Sequence, residues 1–163
     1  MRLPAGAERL DGVFDMGKRR KSREMALQTL FQLECDPRDP MEAFDSLRES
    51  MHWAEARVDF ARKLVLGVQR TKSDLDLLIR RASKHWRLER MAMVDRSILR
   101  LAVYEMLHLE DVPPKVAIDE ALELAKRFGA KESGAFINGV LDQIYNDLLK
   151  DGRLKNVGSD VSS

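Results

Sequence analysis

Lys18, Arg19, Arg20, Lys21 and Arg23 place five cations within six residues, interrupted only by Ser22. Like charges so close together repel, and water alone gives the arrangement no return unless an anion sits opposite. A nucleic-acid backbone suits the cluster best, because each neutralised phosphate releases condensed counterions and arginine adds planar donors and a flat face for a base. Two alternatives stay open on these residues alone: a solvated basic segment, or one drawn to an anionic membrane surface. The membrane is the poorer fit, since the stripe that follows is an ordinary core stripe whose one aromatic anchor is Phe31. Helix formers follow the cluster, so an arginine-rich arm that is helical when bound to RNA is physically reasonable.

Other residue types that could do chemistry fail specific tests. Gly129 and Gly134 have the spacing of a phosphate-binding loop, but Ala135 and Phe136 stand where its lysine and hydroxyl belong, and no strand precedes them. A helix cap followed by a turn into the last helix is the better reading. Glu105 and His108 have the spacing of a di-iron helix motif, which requires a second copy that is not there. Cys35 is the only cysteine and has no histidine near it in sequence, so no activated thiol is expected. Trp53 and Trp86 sit beside helical stripes and are read as core. The chain is expected to be no enzyme and to need no cofactor or metal.

Composition sets the frame for these residues. The chain has 163 residues, 34% of them charged and 44% hydrophobic, with a formal net charge of only +1. Attraction to nucleic acid must therefore come from local charge distribution. One cysteine excludes an intrachain disulfide, and no apolar run approaches the roughly 20 residues of a membrane span, so a cytoplasmic protein is expected.

Periodicity supplies the scaffold. Ala26, Leu30 and Leu33 mark one helical stripe; Met41, Phe44, Leu47 and Met51 a second, opened by Asp39 as N-cap and Pro40 at the first helical position. Val58, Ala61, Val65 and Val68 give a third, and Ser73 with Asp74 and Asp76 reads as the start of a fourth, carrying Leu75, Leu78, Ile79 and Ala82. From Met91 to Leu109 apolar residues cover nearly the whole circumference, which predicts a central helix. Two more stripes follow, from Val116 to Phe128, ended at Gly129, and from Phe136 to Leu148. The expectation is an all-α fold of about seven helices in two packed three-helix-bundle-like halves, near 17–72 and 73–150, with a seam at Gln69 to Asp74. Residues 1–16 are expected to be a flexible extension and 151–163 a disordered tail.

Several of these segments together resemble the NusB family of transcription antitermination factors. The likeness runs from Lys18 to Phe31, through Val94-Asp95-Arg96-Ser97-Ile98-Leu99-Arg100 and Asp111-Val112-Pro113-Pro114-Lys115-Val116-Ala117-Ile118, to Ala125-Lys126-Arg127-Phe128-Gly129 and Phe136-Ile137-Asn138-Gly139-Val140. It covers roughly residues 17–150. The resemblance implies binding of boxA RNA together with NusE, a small-subunit ribosomal protein, and assembly of an antitermination complex on RNA polymerase, notably during ribosomal RNA synthesis. It implies RNA contacts from Lys18, Arg19, Arg20, Lys21 and Arg23 and from a second region at Lys115, Lys131, Glu132, Ser133 and Phe136. Phe31 and Asp95 become candidate contacts for the ribosomal partner. A different class of function, a protein-interaction module that pairs with itself and hides its RNA surface, is the alternative to be tested.

Overall fold

The computed structural model describes the backbone of residues 7–154 and the side chains of residues 19–154. Residues 1–6 and 155–163, and the side chains of residues 7–18, Lys18 among them, lie outside the described residues, and with them part of each expected tail. The described backbone forms six α-helices and two short 3-10 turns and includes no strand. They are α1 (Ala7–Cys35), α2 (Pro40–Met51), α3 (Val58–Ala82), α4 (Met93–His108), α5 (Pro114–Phe128) and α6 (Ser133–Lys150). The fold is all-α, as the periodicity predicts.

One fewer helix than expected results from a merger. The stripes at Val58–Val68 and Leu75–Ile79 belong to a single α3, because neither Ser73 nor its acidic neighbours interrupt the backbone and no proline lies between them. Ser73 and Asp74 sit on the solvent side of a continuing helix instead of capping a new one. α1 likewise begins at Ala7, ahead of the basic cluster, since no proline follows Pro4 until Pro37. At the other end Leu154 is buried, so order persists beyond the predicted end of the last helix.

The chain divides into two compact units, Met1–Leu66 and Gly67–Ser163, with the boundary inside α3. In the first, α1 packs against α2 and the 3-10 turn Glu55–Arg57. Met25, Ala26, Leu27 and Leu30 of α1, Phe44 of α2 and Ala61, Leu64 and Val65 of α3 are buried. α2 starts as the sequence predicts, with the Asp39 carboxylate accepting from the Glu42 N–H at 3.1 Å and Pro40 in the first turn.

In the second unit α4, α5 and α6 pack on one another. Every residue of α4 from Ser97 to Met106 is buried, matching its all-round apolar pattern. Two of those residues are charged, and Arg100 is satisfied by a two-pronged pair with Asp76 of α3, Nε to Oδ1 at 2.7 Å and Nη2 to Oδ2 at 3.1 Å. Such a pair fixes the register of α4 on α3, because sliding either helix would strand a desolvated charge.

Gly67 of α3 is where Tyr104 of α4 comes closest: a Cβ there would lie 2.1 Å from ring carbon Cζ. The ring is buried, and desolvation pushes its phenol above the ordinary value while Arg70 pulls weakly the other way. Replacing glycine by alanine in a helix would ordinarily stabilise by up to about 1 kcal/mol. Here overpacking against a buried ring outweighs that gain, and Gly67→Ala is expected to destabilise by about 1–2 kcal/mol net. Urea unfolding measures this, and combining it with Tyr104→Leu should cost less than the sum of the two single changes.

Candidate nucleic-acid interface

The helix sorts the basic cluster into different environments. Arg19 and Arg23, four residues apart, share one face of α1, and both guanidinium groups lie over the Phe60 ring, at 4.7 and 5.7 Å from its centroid. Arg23 is buried at 3% exposure, whereas Arg19 is half-buried and Arg20 is exposed. Lys21 pairs with Glu24 at 3.4 Å one turn along. Ser22, between them, is buried and donates its hydroxyl hydrogen to the Arg57 carbonyl at 2.7 Å, which ties the cluster to the turn before α3. The solvent-facing cations of the cluster among the described side chains are thus Arg20, with parts of Arg19 and Lys21. Arg23 is foremost a packing residue.

The second group of expected site residues belongs to the other unit. Lys115 is exposed in the first turn of α5, and Lys131 and Glu132 are exposed in the turn between α5 and α6. Ser133 differs from the expectation of a surface contact: it is buried, and its hydroxyl oxygen accepts from the Ala130 N–H at 2.9 Å, closing the turn. The same closure explains Gly129. Its backbone is extended, not left-handed, and glycine is needed because a Cβ would lie 2.7 Å from the Ser133 side chain. The turn therefore presents Lys131 and Glu132 rigidly, one turn of helix ahead of Phe136.

Phe136 is half-buried and meets the Trp86 ring nearly at right angles, 79° between planes and 6.1 Å between centroids. Trp86 is 62% exposed, which overturns the expectation that it is core. Trp53, by contrast, packs on Phe44 at 5.4 Å and is structural as expected. Trp86 stands in the loop between α3 and α4 among exposed Lys84, His85 and Arg87. That grouping was visible in the sequence; proximity to a helical stripe hid its significance. Close by, the Glu89 carboxyl is held below its usual range by a backbone N–H and by Arg80, whose Nη2 lies 2.9 Å away.

Of the two candidate partner contacts, Phe31 is half-buried on α1, and Asp95 lies in the first turn of α4. The Asp95 Oδ1 atom is buried without a hydrogen-bond partner among the described residues. No group of three or more His, Cys, Asp or Glu side chains converges as a metal site among the described residues. None of the described helices is long and apolar enough to cross a membrane.

The model of the NusB family matches residues 20–146, most of the chain. This chain belongs to the NusB family. It is 47% identical over 139 residues to the transcription antitermination protein NusB of Myxococcus xanthus, covering 83% of this chain and 99% of that one. Among solved structures, NusB of T. maritima is similar with a TM-score of 0.72 at 38% identity, covering 79% of this chain and 91% of that one. A second, from a crystal structure of antitermination factors NusB and NusE in complex with double-stranded RNA, has a TM-score of 0.73 at 28% identity and covers 81% and 98% of the two chains.

The split within the arginine cluster has a measurable consequence. Arg23→Ala removes a buried side chain and its packing on Phe60, and is expected to lower stability by about 1–3 kcal/mol. Arg20→Ala, at an exposed position, should stay within about 0.5 kcal/mol of the parent. Chemical denaturation of the two variants side by side distinguishes these roles without any RNA present.

Proposed function

We propose that this chain is a non-enzymatic transcription antitermination factor that binds boxA-type RNA together with NusE and joins an antitermination complex on RNA polymerase, notably on ribosomal RNA operons. The observation that carries the proposal is a cluster of cations along α1, overlapping the start of the family match, in a chain of the NusB family. The relative crystallised with NusE and double-stranded RNA supports the same pairing of ligands here. A cytoplasmic location follows from that role.

In this reading Arg19, Arg20, Lys18 and Lys21 neutralise phosphates, which supplies affinity and orientation without sequence information. Arg23 and Ser22 hold the arm to its own unit so that the phosphate ligands are pre-positioned. The second surface, Lys115 and Lys131 with Phe136, adds cations and an aromatic edge where an unstacked base can be recognised. A carboxylate repels phosphate, so Glu132 acts on base or sugar donors. Phe31 and Asp95 face the protein partner. Should the free chain pair with itself over the RNA surface, light scattering will show dimers that dissociate when RNA is added.

Arg19→Ala combined with Arg20→Ala is expected to weaken binding to a boxA-type RNA by about tenfold or more, and to flatten the log–log salt dependence by about 1.4, or roughly 0.7 per lost phosphate contact on a single strand. Filter binding at several salt concentrations reads both quantities. Unchanged affinity and slope would remove the arm from the mechanism.

A further inference from the structure

Trp86 stands out among the large apolar side chains because so much of an aromatic ring system is left in water. Indoles usually bury their surface, and an exposed one on a soluble domain marks a contact more often than a scattered exposed leucine would. Its position is also fixed. The Trp86 backbone N–H donates to the Ser83 carbonyl at 3.0 Å, while the Ser83 hydroxyl donates to the Ile79 carbonyl of α3 at 2.6 Å, so the loop backbone that carries the indole is held. Phe136 supports one side of the ring. A rigid aromatic with an open surface loses little entropy when a flat partner settles on it.

The surroundings select the kind of partner. Lys84, His85 and Arg87 are exposed on either side of Trp86 in sequence. Glu89, the nearby acid, already pairs with Arg80 at 2.9 Å, so the electrostatic character beside the indole is cationic. These residues line an open depression of about 480 Å³ that includes Trp86; a second of about 630 Å³ shares Lys84 and His85 and is of mixed charge, with Arg81 and Lys150 beside Asp147 and Asp151. A flat π surface bordered by cations is the combination that binds single-stranded nucleic acid: stacking takes the base and ammonium or guanidinium groups take the flanking phosphates.

We propose that Trp86 is a stacking platform for one unpaired RNA base, with Lys84 and Arg87 on the adjoining phosphates. The inference rests on the RNA-binding reading above and extends it, through the Phe136 contact, from the turn before α6 to the loop between α3 and α4. A duplex cannot use the platform, because its bases are already stacked on one another, so the ligand here is a single-stranded segment.

The chain has two tryptophans, so Trp53→Phe leaves Trp86 as the sole indole reporter in an otherwise intact protein. Titrating this variant with a boxA-type single-stranded RNA is expected to quench Trp86 emission and protect it from acrylamide. Trp86→Ala should weaken RNA affinity by about tenfold with the salt slope unchanged, while Trp86→Phe, which keeps a stacking face, should lose no more than about threefold. Lys84→Ala or Arg87→Ala should instead reduce the salt slope by roughly 0.7 each. The fluorescence arm retains Trp86 and so remains decisive even if Trp86→Ala folds poorly. RNA that binds while Trp86 stays accessible to acrylamide would overturn the platform alone, leaving the arginine arm untouched. So would a Trp86→Ala variant that binds RNA normally but fails to capture NusE, since the surface would then serve the protein partner. A parent chain that binds no RNA would overturn the broader reading as well.

Discussion

Five cations in six residues must be kept together against their own repulsion, and helical geometry gives the four with described side chains different surroundings. Arg19 and Arg23 are one turn apart and share the Phe60 ring, Lys21 is matched by Glu24, and Arg20 is exposed. The buried Ser22–Arg57 hydrogen bond then anchors this turn of α1 to the segment leading into α3. Charge that a disordered arm would have to organise on binding is in this way partly organised beforehand, which lowers the ordering cost of holding a phosphate backbone. The same packing removes Arg23 from the set of simple surface contacts.

The second unit meets a related constraint from the opposite direction. Its central helix α4 is buried from Ser97 to Met106, so the charge it carries at Arg100 needs a fixed partner, and Asp76 of α3 supplies it. With these helices locked, their connecting loop has one defined course, and Trp86 projects from it. The turn between α5 and α6 is similarly closed by Ser133 against Gly129 and Ala130. Both surface features thus owe their shape to buried contacts directly beneath them.

Much of the scaffold could be read from periodicity and caps. The Asp39 cap, the proline opening α2, and the all-round apolar α4 are local signals that the structure bears out. Ser73 misled because a residue that caps helices is also tolerated on the outer face of a long one, and only continuity of the flanking stripes could have decided between the two. Ser133 and Gly129 were legible as a turn, but the reason for the glycine is a contact between residues four apart that spacing does not reveal. Residue type alone points Trp86 to the core, whereas its place in a cationic loop leaves it exposed. Within the basic cluster, the sequence marks the charge but cannot tell which members lie over Phe60, a residue far along the chain in α3.

Binding of the intact chain to a boxA-type RNA, followed across a range of salt concentrations with and without added NusE, tests the central reading most directly. The expected result is affinity that falls linearly with salt on logarithmic axes and tightens when NusE is present. Affinity that is absent, or that is indifferent both to salt and to NusE, would contradict it.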